Sequence, residues 1–334
     1  MKTIVFDTHP FEESAMVAAN HRFKHDIHFL EVRLTKDTAA IAANFPCVCA
    51  FANDHLDKTC LNILKNGGTK IIALRSAGFN NVDLKAADQL GLAIVRVPEY
   101  SPYSVAEHAV GLMLSLNRRL YRAYNRVREQ NFSLDGLVGF DMHGKTVGIV
   151  GTGRIGSALA RILQGFGCKI LAHDQAPNED LKKVCALSYV TLPELFKNSD
   201  IISLHIPLTP KSRHIVDSKA LASMKKGVMI INTGRGALVD TKALISALKT
   251  GHIGFAGLDV YEEEEGIFFE DHSQDMLQDD VLARLLTFPN VFITSHQGFL
   301  TQEALANIAD TTLQNVADFE ANRPLINEVK FQSA

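Results

Sequence analysis

Short apolar runs alternate with longer stretches of mixed polarity along the whole chain. The runs form two series, near residues 3–7, 27–31, 47–52, 71–74 and 94–97, and near 146–150, 170–173, 201–205, 228–232, 254–258 and 291–294. Nearly continuous apolar runs of this length are typical of parallel strands that are covered on both faces. Because helical stretches separate the runs, the pattern predicts right-handed βαβ units and an α/β fold.

Two long helices are predicted to divide this pattern into two doubly wound domains. The first helix follows Pro102, and Ser104 and Glu107 have the spacing of a capping box that would start it. The second helix runs from about residue 301 to 322. We expect residues 101–299 to form one domain, inserted in a discontinuous domain of residues 1–100 and 300–334, with a substrate cleft between the two.

Length, composition and charge are those of ordinary globular domains. The chain has 334 residues, 46% of them hydrophobic and 21% charged, which suits two domains. A formal net charge of −3 disfavours nucleic acid or an anionic membrane as a partner. No segment approaches the roughly 18 apolar residues of a spanning helix, and the first apolar run is too short for a signal peptide. The expected location is the cytoplasm.

The cysteines indicate neither a disulfide framework nor a metal site. There are five of them, an odd and scattered set in a long chain. Cys47 and Cys49 alternate within one apolar run, and no nearby Cys or His pair completes a tetrahedral site. We interpret them as small buried hydrophobic residues and expect no metal.

A glycine-rich turn points to a dinucleotide. Gly151, Gly153 and Gly156 form a G-x-G-x-x-G pattern after a predicted strand and before a helix. In that pattern the first glycine permits the tight turn, the second lets a pyrophosphate approach, and the third lets helix and strand pack closely. Asp174 ends the next strand, where an acid would bind ribose hydroxyls and repel a 2′-phosphate. The sequence therefore predicts a Rossmann-type domain that prefers NAD over NADP.

Three reactive side chains follow later strands of the same domain. Arg235, Asp259 and His296 each come at the carboxyl end of a predicted strand, the edge where sites collect in open α/β sheets. An arginine fork can bind a carboxylate and polarise a ketone, and a histidine with a carboxylate partner can supply a proton. These groups suit hydride transfer to a 2-keto acid.

The motifs around these residues resemble the D-isomer-specific 2-hydroxyacid dehydrogenases. The resemblance lies in residues 232–236 (NTGRG), 258–262 (LDVYE), 295–297 (SHQ), the turn 150–156 and the segment 204–209 (LHIPLT). Residues 75–83, 97–108 and 268–271 are similar to the fermentative D-lactate dehydrogenases of that family. The resemblance covers essentially the whole chain. It implies a Rossmann-type nucleotide domain inserted in a discontinuous flavodoxin-like substrate domain.

The resemblance also implies roles for individual residues. Arg235 would pair with the substrate carboxylate and carbonyl, and His296 would be the acid/base. Glu264 would orient His296 and favour its protonated form, with Glu263 and Glu265 as alternatives because four glutamates stand in a row. The cofactor contacts implied are Gly151, Gly153, Arg154, Ile155, Gly156, Asp174, His205, Pro207, Thr233, Gly234 and Asp259. Asp259 would also support the site and tune its pH response.

On the substrate side, the resemblance implies a small pocket. The backbone amides of Ala77 and Gly78 would bind the carboxylate, Tyr100 would supply a hydroxyl, and Phe299 would limit the side-chain space. Apart from Arg75, no basic cluster near Ala77 would neutralise a phosphate. The hypothesis is reduction of pyruvate to D-lactate by a homodimer or homotetramer.

Two alternatives remain open. The first is another member of the family, acting on glyoxylate, hydroxypyruvate, phosphoglycerate or a larger acid such as hydroxyisocaproate. The second is an NAD-sensing binding protein related to corepressors, although the chain lacks a long disordered tail. A formate dehydrogenase is disfavoured because its pattern has glutamine where Glu264 stands.

Overall fold

The computed structural model describes residues 1–331 as two compact units. The first unit comprises Met1–Ser101 together with the chain from Phe299 onward, and the second comprises Pro102–Gly298. These boundaries lie within two residues of the expected ones at 100 and 300. Within the described residues, no helix is both long enough and apolar enough to cross a membrane.

The first unit is a parallel sheet of five strands with the order β2-β1-β3-β4-β5. The strands are β1 (Lys2–Val5), β2 (Asp26–Phe29), β3 (Cys47–Ala50), β4 (Ile71–Leu74) and β5 (Ala93–Val95). Its helices are α1 (Pro10–Phe23), α2 (Lys58–Asn66), α3 (Leu84–Gln89) and, after the second unit, α12 (Gln302–Glu320). This strand order is that of flavodoxin-like folds. Every strand predicted for this unit is present.

The second unit is a parallel sheet of seven strands with the order β12-β11-β10-β9-β6-β7-β8. The strands are β6 (Thr146–Val150), β7 (Lys169–His173), β8 (Ser188–Tyr189), β9 (Ile201–Leu204), β10 (Val228–Asn232), β11 (Ile253–Leu258) and β12 (Val291–Ile293). Counted from β6, this is the Rossmann order with one further strand at the edge. The predicted fold class is confirmed, but β8 was missed because two residues at a sheet edge leave no apolar run.

Helices cover both faces of the second sheet. They are α4 (Pro102–Asn117), α5 (Leu120–Arg128), α6 (Arg154–Gly165), α7 (Glu179–Val184), α8 (Leu192–Asn198), α9 (Ser218–Ser223), α10 (Thr241–Lys249) and α11 (Asp280–Leu286). The expected capping role of Ser104 is wrong, because α4 begins at Pro102 and both Ser104 and Glu107 lie inside it. Proline is favoured at a first helical position, since its fixed φ suits the helix and its missing N–H is not needed there.

The cores explain why the apolar runs were nearly continuous. In β10, Val228 and Ile230 belong to one buried cluster, whereas Met229 and Ile231 belong to another on the opposite face of the sheet. Every residue of β10 is buried. A strand buried on both faces has no polar face, so its sequence does not alternate.

Arg75 is an internal residue of the first unit. Its side chain is 0% exposed and its Nε and Nη2 donate to the two carboxylate oxygens of Glu12, at 3.0 and 2.9 Å. Nη2 also donates to the carbonyl oxygens of Phe6 and Asp7. A guanidinium whose donors are buried and occupied in this way is not available to bind a phosphorylated substrate.

Candidate active site

The three glycines of the turn after β6 differ in the space that surrounds them. A Cβ on Gly151 would lie 2.6 Å from the carbonyl oxygen of His205, and a Cβ on Gly156 would lie 1.9 Å from that of Gly151. Gly151 also has φ = 95°. A Cβ on Gly153, by contrast, would meet nothing within 4 Å. The first and third glycines are therefore required by the protein itself, whereas the second faces open space, as a pyrophosphate site requires.

Asp174 follows β7 and lies beside this turn. Its Oδ2 accepts hydrogen bonds from the amide and hydroxyl of Thr152, at 2.6 and 3.1 Å, and its Oδ1 accepts from the amide of Ala176. Burial opposes ionisation, but the hydrogen bonds from the Ala176 and Thr152 amides outweigh it, and the pKa of Asp174 lies below its ordinary value. The turn therefore carries a fixed negative charge that suits ribose hydroxyls and opposes a 2′-phosphate. Arg154 and Ile155 open α6 directly after the turn.

The segment after β9 forms another side of the turn. The amide of His205 donates to the carbonyl of Val150 at 2.8 Å, and its Nε2 lies 2.8 Å from Ser203 Oγ. Burial lowers the pKa of His205 to about 4, so that its ring is neutral near pH 7. The carbonyl of Pro207 accepts a hydrogen bond from the hydroxyl of Ser212. A segment without charge suits contact with a nucleotide base or nicotinamide ring.

Arg235 lies in a turn after β10 that is held by hydrogen bonds between its own residues. Asn232 accepts from the amide of Gly234 at 3.1 Å and donates to the carbonyl of Arg235 at 2.8 Å. Arg235 Nη1 donates to the carbonyl of Gly234 at 2.7 Å. Within residues 1–331, the buried hydroxyl of Thr233 has no hydrogen-bond partner. Because an unpaired buried hydroxyl is costly, this atom fits a contact to a bound cofactor.

The side chains of His296 and Glu264 lie within hydrogen-bond distance of each other in the second unit. His296 Nδ1 lies 2.8 Å from Glu264 Oε1, and the other carboxylate oxygen accepts the amide of Tyr261 at 3.0 Å. The two side chains are 22% and 20% exposed, so a ligand can reach them. Of the neighbouring glutamates, Glu262 instead accepts hydrogen bonds from Arg213 and His214. Since Glu264 uses Nδ1, the Nε2 atom of His296 is the one that a substrate oxygen would meet.

Asp259 is buried, and its carboxylate supports the turn that carries His296. Its oxygens accept hydrogen bonds from the hydroxyl of Thr294 at 2.6 Å and from the amides of Gln297 and Gly298 at 2.9 and 2.8 Å. His108 Nε2 lies 3.2 Å from the same carboxylate. The geometry therefore gives Asp259 a supporting task. Sequence reasoning gave neither His108 nor Thr294 a role. His108 lies at the end of the segment 97–108 that carries part of the resemblance, but no local pattern connects it to Asp259.

The turn of residues 76–79 follows β4 in the first unit. Ser76 donates to the carbonyl of Gly78 at 2.7 Å, and Arg96 Nη1 donates to the carbonyl of Ala77 at 2.7 Å. The guanidinium of Arg96 also lies 5.1 Å from the ring centroid of Phe79. Arg96 thus holds this turn and was missed by sequence reasoning, although its place just after β5 was a usable signal.

Aromatic rings surround Phe299 within the first unit. Its ring centroid lies 6.3 Å from that of Tyr100 and 6.3 Å from that of Phe11, both in edge arrangements. Such contacts hold a ring in place. Among the described residues, no group of three His, Cys, Asp or Glu side chains is placed to hold a metal ion.

Comparisons with known proteins show the family. Residues 110–298 match the model of the NAD-binding domain of D-isomer-specific 2-hydroxyacid dehydrogenases. The chain is 52% identical to 2-hydroxyacid dehydrogenase homolog 1 of Schizosaccharomyces pombe over 320 residues, 96% of each chain. It is 50% identical to the D-lactate dehydrogenase of Escherichia coli K12 over 329 residues, 98% of this chain and 100% of the other. Among solved structures, the pyruvate reductase of Chlamydomonas reinhardtii matches with a TM-score of 0.93 and 46% identity, covering 98% of both chains.

The chain therefore belongs to the D-isomer-specific 2-hydroxyacid dehydrogenase family, and the family resemblance seen in the sequence is confirmed. It is an NAD-dependent dehydrogenase of that family, and D-lactate dehydrogenases are among its relatives at about half identity.

The glycine turn allows ligand binding and folding to be separated by mutation. Gly153→Ala adds a methyl group that meets no protein atom, whereas Gly156→Ala drives one into the Gly151 carbonyl. We expect Gly153→Ala to retain the wild-type melting temperature and to weaken NADH binding about tenfold or more, because the added methyl opposes close approach of the pyrophosphate. We expect Gly156→Ala to be destabilised. Fluorescence titration and thermal unfolding measure the two effects, and unchanged NADH affinity in Gly153→Ala would contradict the assignment.

Proposed function

We propose that this chain is an NAD-dependent D-lactate dehydrogenase that reduces pyruvate reversibly to D-lactate. The observation that carries the activity is the His296–Glu264 pair at 2.8 Å, in the unit that also presents Arg235 and the glycine turn. The names of the Escherichia coli and Chlamydomonas reinhardtii relatives support the choice of substrate.

The proposed chemistry divides between hydride and proton. Bound NADH supplies the hydride that goes to the ketone carbon. His296 gives the proton from Nε2 to the ketone oxygen, and Glu264 at Nδ1 stabilises the imidazolium before that transfer. Arg235 binds the carboxylate and polarises the ketone with its forked donors. In lactate oxidation the same groups act in reverse, and His296 accepts the hydroxyl proton.

The first unit supports a small substrate without a phosphate. We propose that the amides of Ala77 and Gly78 bind the substrate carboxylate, that Tyr100 adds a hydroxyl, and that Phe299 limits the side chain to a methyl group. Burial of Arg75 against Glu12 supports this choice, because the cation that directly precedes the turn in sequence is not available to a phosphorylated acid.

The remaining cofactor contacts are proposed from the same geometry. Gly151, Gly153, Arg154, Ile155 and Gly156 would line the pyrophosphate, and Asp174 would bind the ribose. His205, Pro207, Thr233 and Gly234 would line the nicotinamide side, while Asp259 acts through the turn that it holds. The negative charge of Asp174 is the proposed basis for preferring NAD over NADP.

We also propose that the enzyme is a cytoplasmic homo-oligomer, at least a dimer. All five cysteines are free thiols, as expected in a reducing compartment. For self-association, the supporting observation is α5, which has no buried residue in a single chain, and the segment after it. Exposed apolar side chains there include Leu120, Tyr124, Val127, Phe132 and Leu134, a concentration that is typical of protein interfaces.

A substrate panel tests the proposed activity. We expect the highest kcat/KM with pyruvate, lower values with glyoxylate, hydroxypyruvate and 2-oxoisocaproate, and the lowest with phosphohydroxypyruvate. NADH oxidation measures the rates, and chiral chromatography should identify the product as D-lactate. Fastest turnover of a bulky or phosphorylated acid would reject pyruvate as the substrate, and binding of NADH without any turnover would favour the NAD-sensing alternative.

Replacement of His296 tests the acid/base assignment. We expect His296→Ala to lower kcat by about 10²–10⁴-fold, the usual contribution of a positioned acid/base, with NADH affinity nearly unchanged. Glu264→Gln should lower kcat less, since the imidazole remains. His21→Ala, at an exposed histidine of α1, is the matched control. Steady-state rates and NADH titrations measure both quantities, and full turnover by His296→Ala would rule out the assignment.

Replacement of Asp174 tests the cofactor preference. Asp174→Asn removes the charge and keeps an oxygen for the Thr152 amide, so we expect the ratio of kcat/KM with NADPH to that with NADH to rise about tenfold. Asp180→Asn, at an exposed position of α7, should leave the ratio unchanged. An unaltered ratio in Asp174→Asn would remove Asp174 from the cofactor site.

A further inference from the structure

His108, on α4, contacts both side chains that hold the turn bearing His296. Its Nε2 lies 3.0 Å from the hydroxyl oxygen of Thr294 and 3.2 Å from Oδ1 of Asp259. The His108 side chain is 18% exposed and that of Asp259 is 2% exposed. A histidine in this position is within reach of a buried carboxylate that would otherwise rely on backbone amides and one hydroxyl.

The protons of this cluster can be assigned by counting donors. Thr294 has one hydroxyl hydrogen, and its Oγ1 lies 2.6 Å from Oδ1 of Asp259, so the hydroxyl donates to the carboxylate. Thr294 Oγ1 can then only accept from His108. The Nε2 of His108 must therefore carry a proton, which it shares between Thr294 Oγ1 and Asp259 Oδ1.

Asp259 needs these donors because it is buried as an anion. Burial opposes its ionisation, but hydrogen bonds from His108 and Thr294, together with the Gly298 amide, outweigh burial and hold the pKa of Asp259 below its ordinary value. A buried carboxylate that loses a donor will either take up a proton or turn towards another donor. Either response would change the bonds that Asp259 makes to the turn.

Three consecutive amides of the turn are bound to Asp259. The amide of His296 donates to the main-chain carbonyl of Asp259 at 2.7 Å, and those of Gln297 and Gly298 donate to its carboxylate. His296 itself has φ = 56°, a left-handed conformation that side-chain-bearing residues seldom adopt without support. The position of the His296 ring therefore depends on the direction of the Asp259 carboxylate.

We propose that His108 is a positioning residue for His296: its Nε2–H holds Thr294 and Asp259 so that the turn 294–298 presents His296 at a fixed place. This inference rests on the proposed role of His296 as the proton donor. His108 touches neither of the reacting groups and acts through Asp259. Through His108, side-chain hydrogen bonds also connect α4 to the turn 294–298.

The test compares His108→Leu, which removes the donor, with His108→Gln, which keeps a side-chain N–H. We expect His108→Leu to lower kcat for pyruvate reduction about 10- to 100-fold while the Kd for NADH stays within about twofold. His108→Gln should recover most of the lost kcat. Glu107→Gln, at the exposed neighbouring position of α4, is the matched control and should behave as wild type.

A second measurement does not depend on turnover. In NMR spectra of the whole protein, the Cε1–H resonance of His296 should move in His108→Leu and lie near its wild-type position in His108→Gln. In a His296→Ala background, His108→Leu should cause no further loss of the residual rate, since its effect passes through His296.

The proposal is overturned if His108→Leu keeps the wild-type kcat, if the Leu and Gln variants are equally impaired, or if the His296 resonance is the same in all three proteins. The proposed function fails separately, if the wild-type protein turns over no 2-keto acid. In that case the NMR comparison alone still decides whether His108 positions His296.

Discussion

Backbone contacts that only glycine permits hold together the strand ends of the second unit. Gly156 lies against Gly151, Gly151 lies against His205, and a Cβ on Gly236 would come within 2.0 Å of the backbone of Tyr261. The turn after β6 is consequently packed main chain to main chain against the turn after β9, and the turn after β10 is packed in the same way against the turn after β11. Any side chain at these places would separate turns that must stay together, because backbone atoms cannot move aside as a flexible side chain can.

Two carboxylates with different surroundings divide the support of His296. Asp259 is buried, remains an anion through several donors, and binds the backbone of the turn. Glu264 is partly exposed and binds the imidazole itself. Asp259 fixes the backbone position from which the His296 side chain extends, and Glu264 fixes the orientation of the imidazole ring. In its proposed role as proton donor, His296 would need both constraints, because misplacement by about 1 Å is enough to slow a reaction strongly.

Two arginines in the first unit show that the type of a residue does not by itself predict its structural role. Arg75 follows β4 and is adjacent to the turn 76–79, yet its side chain is buried and donates to the carboxylate of Glu12 inside the unit. Arg96 follows β5, contacts the Ala77 carbonyl and the Phe79 ring, and so shapes that turn. The difference arises from the direction of each side chain at its strand end, which depends on packing against the rest of the unit.

The sequence by itself determined the α/β class, eleven of the twelve strands of the described chain, the glycine turn, and the strand-end positions of Arg235, Asp259 and His296. These features are local, because apolar runs, glycine spacing and strand ends are all visible within short windows. The choice of Glu264 among four successive glutamates could be made in advance only from family resemblance, since the four are chemically identical.

The tertiary structure decided what depends on contacts between distant segments. It joined His108 to Asp259 across 151 positions of the chain and Arg96 to Ala77 across the sheet edge, and it buried Arg75. It also placed the start of α4 at Pro102 and added β8 at the sheet edge. Side-chain direction and burial are set by packing among elements far apart in sequence, and no short window of residues contains that information.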